Sequence, residues 1–199
     1  MPSISLTDLV DVVSRAGTGK AKKVAAIKNR PPYQPQTDFY KALREGIVDV
    51  HQKGLGRDAL RDIAAHLTDK KKKANYPGAV TGYHKWWGKK TIEWFAPVKT
   101  LYTHAGIDVN VNPELGLVIE GQRTLVKLYL KAEPVGKVRI DLVTALMEKV
   151  LRPKCRKDDA VALLDVRAGK LFRPGNDIDS TVAMVDAELA YIADLWPKL

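Results

Sequence analysis

Apolar residues recur at helical spacing through the first half of the chain and at alternating positions through much of the second. Leu6, Leu9, Val10 and Val13 form a stripe behind Ser5 and Thr7, predicting a first helix that starts at one of those polar residues and ends before Gly17. Residues 17–35 carry no such stripe and close on Pro31, Pro32 and Pro35, which reads as a basic linker. A second helix is predicted over 38–53, with Phe39, Leu43, Ile47 and Val50 on one face and Gly54-Leu55-Gly56 as its stop. A third follows over 58–67, turning Leu60, Ile63, Ala64 and Leu67 inward. A short helix over 82–90 and an irregular or extended stretch to Pro97 complete this half. From Gly106 the period falls to two, predicting strands over 107–111, 115–120 and 123–131, with Gly121-Gln122 as a two-residue turn. A helix over 136–151 and a strand over 161–166 come next. The last helix carries Ile178, Val182, Val185, Leu189, Ile192 and Trp196 at 4-3-4-3-4 spacing.

This pattern predicts an α/β (α+β) protein: N-terminal helices, a small mixed sheet with a central β-hairpin, and C-terminal helices. The organisation expected is an N-terminal helix and basic linker over 1–35, then one domain over 36–199. That domain has a helical part, 36–100, and a sheet-containing part, 101–199. A turn at Gly121-Gln122 pairs Glu120 with Arg123, Gly116 with Lys127 and Glu114 with Tyr129. One hairpin face then holds Leu115, Leu117, Ile119, Thr124, Val126, Leu128 and Leu130, and is core. The other holds Glu114, Val118, Glu120, Arg123, Leu125, Lys127 and Lys131, and is expected to be the charged, solvated side.

Charge sharpens this picture. The chain has 199 residues, 45% hydrophobic and 28% charged, with a net charge of +10, which makes a polyanion such as DNA or RNA the expected partner. Arg15, Lys20, Lys22, Lys23, Lys28 and Arg30 form one segment without an acid. Lys70, Lys71, Lys72, Lys73, Lys85, Lys89, Lys90 and Lys99 share their segment with Glu93 alone. The C-terminal helix is acidic, so one basic face is expected away from it. Lysines can neutralise phosphates while Trp86 and Trp87, which lie among them, either stack on unpaired bases or anchor the core. No apolar run is long enough to cross a membrane, and no basic-then-apolar signal opens the chain. The single Cys155 suits a reducing compartment, and a cytoplasmic location is expected.

Several motifs fail on spacing. Arg15-Ala16-Gly17-Thr18-Gly19-Lys20 lacks the first glycine of a phosphate loop, where Ser14 stands, and Ala21 replaces the required hydroxyl residue. His51, His66, His84 and His104 form no metal-ligand pair. Cys155 lies among cations that would lower its pKa, but nothing nearby completes a catalytic thiol, so it reads as incidental.

The order helix, three strands, helix, strand, helix over about 38–196, with Pro113-Glu114 and Leu125-Val126-Lys127 on successive strands, resembles the restriction-endonuclease-like αβββαβ core of the PD-(D/E)XK nucleases. That resemblance implies Glu114 as an acid that binds a divalent metal, Mg2+ or Mn2+, and Lys127 as the lysine that stabilises the attacking water or phosphate charge. Leu125 stands where the second acid belongs, which leaves Glu45 or Glu120 to supply it. Two functions follow: a weak metal-dependent phosphodiesterase, or a catalytically inactive nucleic-acid-binding relative. In either case Lys70 to Lys73, Lys85, Lys89 and Lys90 would follow the backbone of the bound strand. The alternative is a protein-interaction subunit that docks a partner through the tryptophan-rich segment or the C-terminal helix.

Overall fold

The computed structural model describes residues 1–34, 38–65 and 67–199, so Pro35 and His66 lie outside the described residues. Strand β1 (Ser3–Ser5) leads directly into helix α1 (Leu6–Val13), followed by α2 (Gly17–Lys28) and α3 (Lys41–Gln52). A 3-10 turn over Arg57–Arg61 precedes the short α4 (Asp62–Ala65) and the long α5 (Lys70–Trp87). Then come β2 (Ile92–Phe95), β3 (Thr100–His104), β4 (Ile107–Val111), β5 (Leu115–Ile119) and β6 (Gln122–Tyr129). Helix α6 (Lys137–Leu151), β7 (Ala160–Asp165), β8 (Lys170–Phe172) and α7 (Ile178–Leu195) finish the chain.

The strands form two sheets, one of five in the order β2-β5-β6-β7-β8 and one of three in the order β1-β4-β3. In the larger sheet β2, β5 and β6 are an antiparallel meander, and α6 crosses over to place β7 parallel to β6. The α/β class and the central hairpin are therefore present, with one change in membership. The meander's first strand is Ile92–Phe95, within the stretch expected to be irregular or extended, whereas Ile107–Val111 leaves for the smaller sheet. Alternation could not show this, because a strand's period says nothing about which neighbour it pairs with.

Both faces of the larger sheet are covered, giving three layers. Leu115, Leu117, Val126, Leu128 and Leu164 pack under α3 and α5, against Leu43, Ile47, Tyr76, Tyr83 and Trp86. Leu125, Tyr129, Val161 and Leu163 pack on the other side against α6 and α7, and the smaller sheet closes that core with Ile107, Val109 and Val111. The partition of the hairpin's side chains between two faces is as predicted, but the second face is not solvated.

The register also differs. The turn residues are Glu120 and Gly121, with φ of 48° and 84°, the two positive angles of a type I′ turn. Ile119 therefore pairs with Gln122 and Leu115 with Val126, which sets Glu114 opposite Lys127 instead of Tyr129. The shift is by an even number of residues, so every side chain keeps its face.

Two helices depart from expectation for electrostatic reasons. Residues 17–28 form α2, not a linker, although only Val24 in it is buried. Tertiary ion pairs hold it: Lys20 to Glu188 at 2.6 Å and Lys23 to Asp11 at 3.2 Å. Helix α5 begins a full twelve residues before the short helix expected at Gly82, because Asp69 caps it by accepting from the Lys72 amide at 2.8 Å. The first helix starts at Ser5, whose hydroxyl accepts from the Asp8 amide at 3.0 Å while the Asp8 carboxylate accepts from the Ser5 amide at 3.3 Å.

Gly82 lets α5 lie directly on the turn after β7, where a Cβ would overlap the backbone carbonyl oxygens of Val166 and Arg167. Neither oxygen belongs to a flexible side chain, so the helix itself would have to move. Gly82→Ala is expected to destabilise the protein by about 3 kcal/mol, measured by urea unfolding. Gly175→Ala, where a Cβ meets nothing, is the control and should change little.

Candidate functional site

Glu114 lies just before β5 and Lys127 near the end of β6. The hairpin register brings their side chains into an ion pair of 2.6 Å. The second carboxylate oxygen of Glu114 accepts from the Leu128 amide at 2.8 Å, and the Lys127 ammonium also donates to the Asn112 carbonyl at 2.8 Å. With side chains 13% and 16% exposed, both groups are largely removed from water, where charge-assisted bonds are at their strongest.

The pair forms part of the wall of two cavities. One, of about 300 Å³, is open and is also lined by Arg44, Glu45, Asp49, Lys99 and Pro113. The other, of about 220 Å³, lies towards α1 and α6 and is also lined by Asp38, Arg44, Lys131, Arg139 and several apolar side chains. Arg44 pairs with Asp38 at 2.8 Å and Arg139 with Asp11 at 2.6 Å. Asp11 also meets Lys23 at 3.2 Å and Lys131 at 3.6 Å. Burial alone would raise the Asp11 pKa, but the Arg139 hydrogen bond and the charges of Lys131 and Lys23 outweigh it and hold the carboxyl below its usual value. Asp38 is likewise held low, with the Arg44 bond and charge outweighing burial. Sequence reasoning set Lys131 on the face of Glu114 and Lys127 but missed Arg44, Asp38, Arg139 and Asp11 around them. They come from separate elements and meet only through tertiary packing.

The remaining acids fall apart spatially. Glu45, on α3, lines the open cavity with Glu114, but its side chain is 59% exposed and pairs with Lys41 at 3.7 Å. Glu120 sits in the turn at the opposite end of β5, about 20 Å from Glu114 by strand rise, and cannot complete a site with it. Leu125 shares the Lys127 face and is fully buried in the core beneath α6. Among the described residues no three His, Cys, Asp or Glu side chains are grouped to hold a metal ion. Both oxygens of Glu114 are already engaged, so this donor set does not fit Mg2+ or Mn2+, which take several carboxylate and water oxygens.

The lysines that the sequence marks out lie on or just after α5. Lys70 to Lys73 form its first turn, Lys85 lies in its last, and Lys89 and Lys90 follow. All but the half-buried Lys72 are exposed, and among the described residues none makes an ion pair within 4 Å. Of the two readings of Trp86 and Trp87, base stacking or core anchoring, the structure has the second. They are 6% and 9% exposed, and their rings pack in the core beneath α5. Trp87 stacks on His51 with ring centroids 4.4 Å apart, and His51 Nε2 lies 2.7 Å from the Tyr83 hydroxyl. Trp87 and Tyr83 are four residues apart on one helix, so a stripe of large aromatics here is a core signature.

Two measurements follow from these buried polar pairs. Burial lowers the His51 pKa from 6.5 to about 4, so the folded protein keeps it neutral. Below pH 6.5 the unfolded chain binds this proton and the native state does not. Stability is therefore full above pH 6.5 and falls by about 3 kcal/mol as pH drops towards 4, a slope that His51→Phe should flatten in urea titrations. Glu114→Ala strands the Lys127 charge and the Leu128 amide and is expected to cost about 3 kcal/mol of unfolding free energy. Glu114→Gln keeps an acceptor and should cost less. In comparisons with known proteins, no family model and no curated protein matches the chain.

Proposed function

We propose that this chain binds nucleic acid through the lysines of α5 and the segment after it, on a scaffold resembling the PD-(D/E)XK core and without metal-dependent hydrolysis. The observation that carries this reading is the distribution of ion pairs. Lys20 and Lys23 on α2, Lys41 and Arg44 on α3, and Lys137, Arg139 and Lys149 on α6 meet carboxylates within 4 Å. The lysines of residues 70–90 make no such pair among the described residues, although like charges crowded on one helix turn repel. Lys70 to Lys73 also occupy the end of α5 where the helix dipole is positive and disfavours cations. A phosphate backbone laid along this side would relieve both penalties.

The likeness to the nuclease core is supported by the β2-β5-β6 meander, the crossover to a parallel β7, and the meeting of Glu114 with Lys127. The donor set around Glu114 does not fit a metal, so no hydrolytic step is derived. The protein-docking alternative draws no support from its two candidate surfaces. Trp86 and Trp87 are in the core, and the stripe of Val182, Val185, Leu189 and Ile192 faces inward from α7.

Fluorescence anisotropy with labelled single- and double-stranded DNA and RNA tests the proposal. Affinity should fall steeply with salt, and Lys71→Glu, Lys72→Glu, Lys89→Glu and Lys90→Glu together should weaken binding at least tenfold for unrelated sequences. If those four side chains each neutralise a phosphate, the slope of log affinity on log salt should fall by about 3. Unchanged binding by the folded variant would sink the assignment. Cleavage with Mg2+ or Mn2+ that Glu114→Ala abolishes would restore the enzymatic reading.

A further inference from the structure

The 220 Å³ cavity beside Lys127 differs in kind from the lysine face on α5, because it is a half-open concavity with an apolar floor. It lies at the carboxyl end of β6, next to the crossover through α6 to the parallel β7, where open α/β sheets build ligand sites. Leu128, Val143 and Leu163 contribute apolar surface, and Tyr40 and Tyr129 add two aromatic rings. Arg44 on α3, Lys127 and Lys131 at the end of β6, and Arg139 in the first turn of α6 supply four cations. Asp38 and Glu114 are the two acids in the lining, and Asp11 and Glu133 behind it pair with Arg139 and, at longer range, with Lys131.

We propose that this cavity binds a phosphomonoester carried on a ring-bearing body: a terminal nucleotide of a nucleic-acid strand, or a free nucleoside monophosphate. A phosphomonoester approaches two negative charges at neutral pH, because its second pKa is about 6, and so competes better for these cations than a singly charged group. An internal phosphodiester carries one, and its chain continues on both sides, which suits a half-open cavity lined from α1, α3 and α6 less well than a chain end does. The apolar floor and the tyrosine rings suit a sugar and base better than they suit inorganic phosphate. Lys131 is the cation free to turn towards the ligand. Its contacts to Asp11 and Glu133 are long, 3.6 and 3.9 Å, whereas Arg44, Lys127 and Arg139 are held by carboxylates at 2.6 to 2.8 Å. For the strand-borne ligand the inference rests on the proposed nucleic-acid binding; for the free nucleotide it stands alone.

Anisotropy with one oligonucleotide bearing a 5′-phosphate, a 3′-phosphate or only hydroxyl ends, together with calorimetric titration of AMP, UMP, adenosine and inorganic phosphate, tests the pocket. The expected result is at least tenfold tighter binding of one phosphorylated end, competed by a nucleoside monophosphate and not by adenosine. Lys131→Gln should reduce that preference below threefold while leaving the hydroxyl-ended strand within twofold. The quadruple lysine variant on and after α5 should weaken all three strands alike and keep their ratio. Val143→Phe, which fills the cavity, should abolish the preference; if it does not fold, Lys131→Gln decides alone. Equal affinity for all ends with no nucleotide binding overturns the pocket and leaves the α5 face standing. Nucleotide binding without strand binding does the reverse. Inorganic phosphate binding as tightly as AMP overturns the ring-bearing body.

Discussion

Strands β5 and β6 are packed on both faces, so a slip of one residue between them would exchange the contents of two cores. The alternation of side chains along β6 excludes such a slip: Val126 and Leu128 lie under α5, and Leu125 and Tyr129 lie under α6. The Glu120-Gly121 turn then chooses among registers that keep each residue on its own face. Only the observed one sets Glu114 against Lys127, and with that pairing it fixes the wall shared by both cavities.

Charge is used in two ways in this molecule. Between layers it acts as a fastener: Asp11 on α1 gathers Lys23 from α2, Lys131 from the end of β6 and Arg139 from α6. One half-buried carboxylate thus joins four segments distant in sequence. Along α5 the lysines make no ion pair within 4 Å among the described residues, and a helix that must tolerate four lysines in its first turn depends on the Asp69 cap and on the aromatic face it buries. The buried His51–Tyr83–Trp87 group belongs to that face, and its neutrality is a condition of the packing.

Much of the architecture is legible in the chain because it depends on local period. The alternation of Leu115, Leu117 and Val126 against Leu125 and Lys127 specifies two faces, and the spacing of Val182, Val185, Leu189 and Ile192 specifies α7. What is not legible depends on distant partners. Nothing local in residues 17–28 predicts a helix, because Lys20 and Lys23 are fixed by Glu188 and Asp11. Short strands such as Ser3–Ser5 and Ile92–Phe95 are too brief for a period to register. Glu114, Lys127 and Lys131 are identifiable as one hairpin face, but Arg44 and Arg139 can join them only after the layers are assembled. The turn lies one residue earlier than local pattern suggests, because a glutamate with positive φ is an uncommon choice beside Gly121.

The pairing of β1 with β4 has a consequence for the order in which the molecule forms. Ser3 to Ser5 find their ladder partners at Asp108 to Asn110, and Lys20 meets Glu188 across 168 positions. During synthesis the first thirty residues therefore leave the ribosome long before either partner exists. The β5–β6 hairpin closes through a two-residue turn and can form at once. The N-terminal segment must wait for nearly the whole chain, then pay a large loop-closure entropy in one late step. Ser3 to Ser5, made before Asp108 to Asn110, are among the last parts to be fastened.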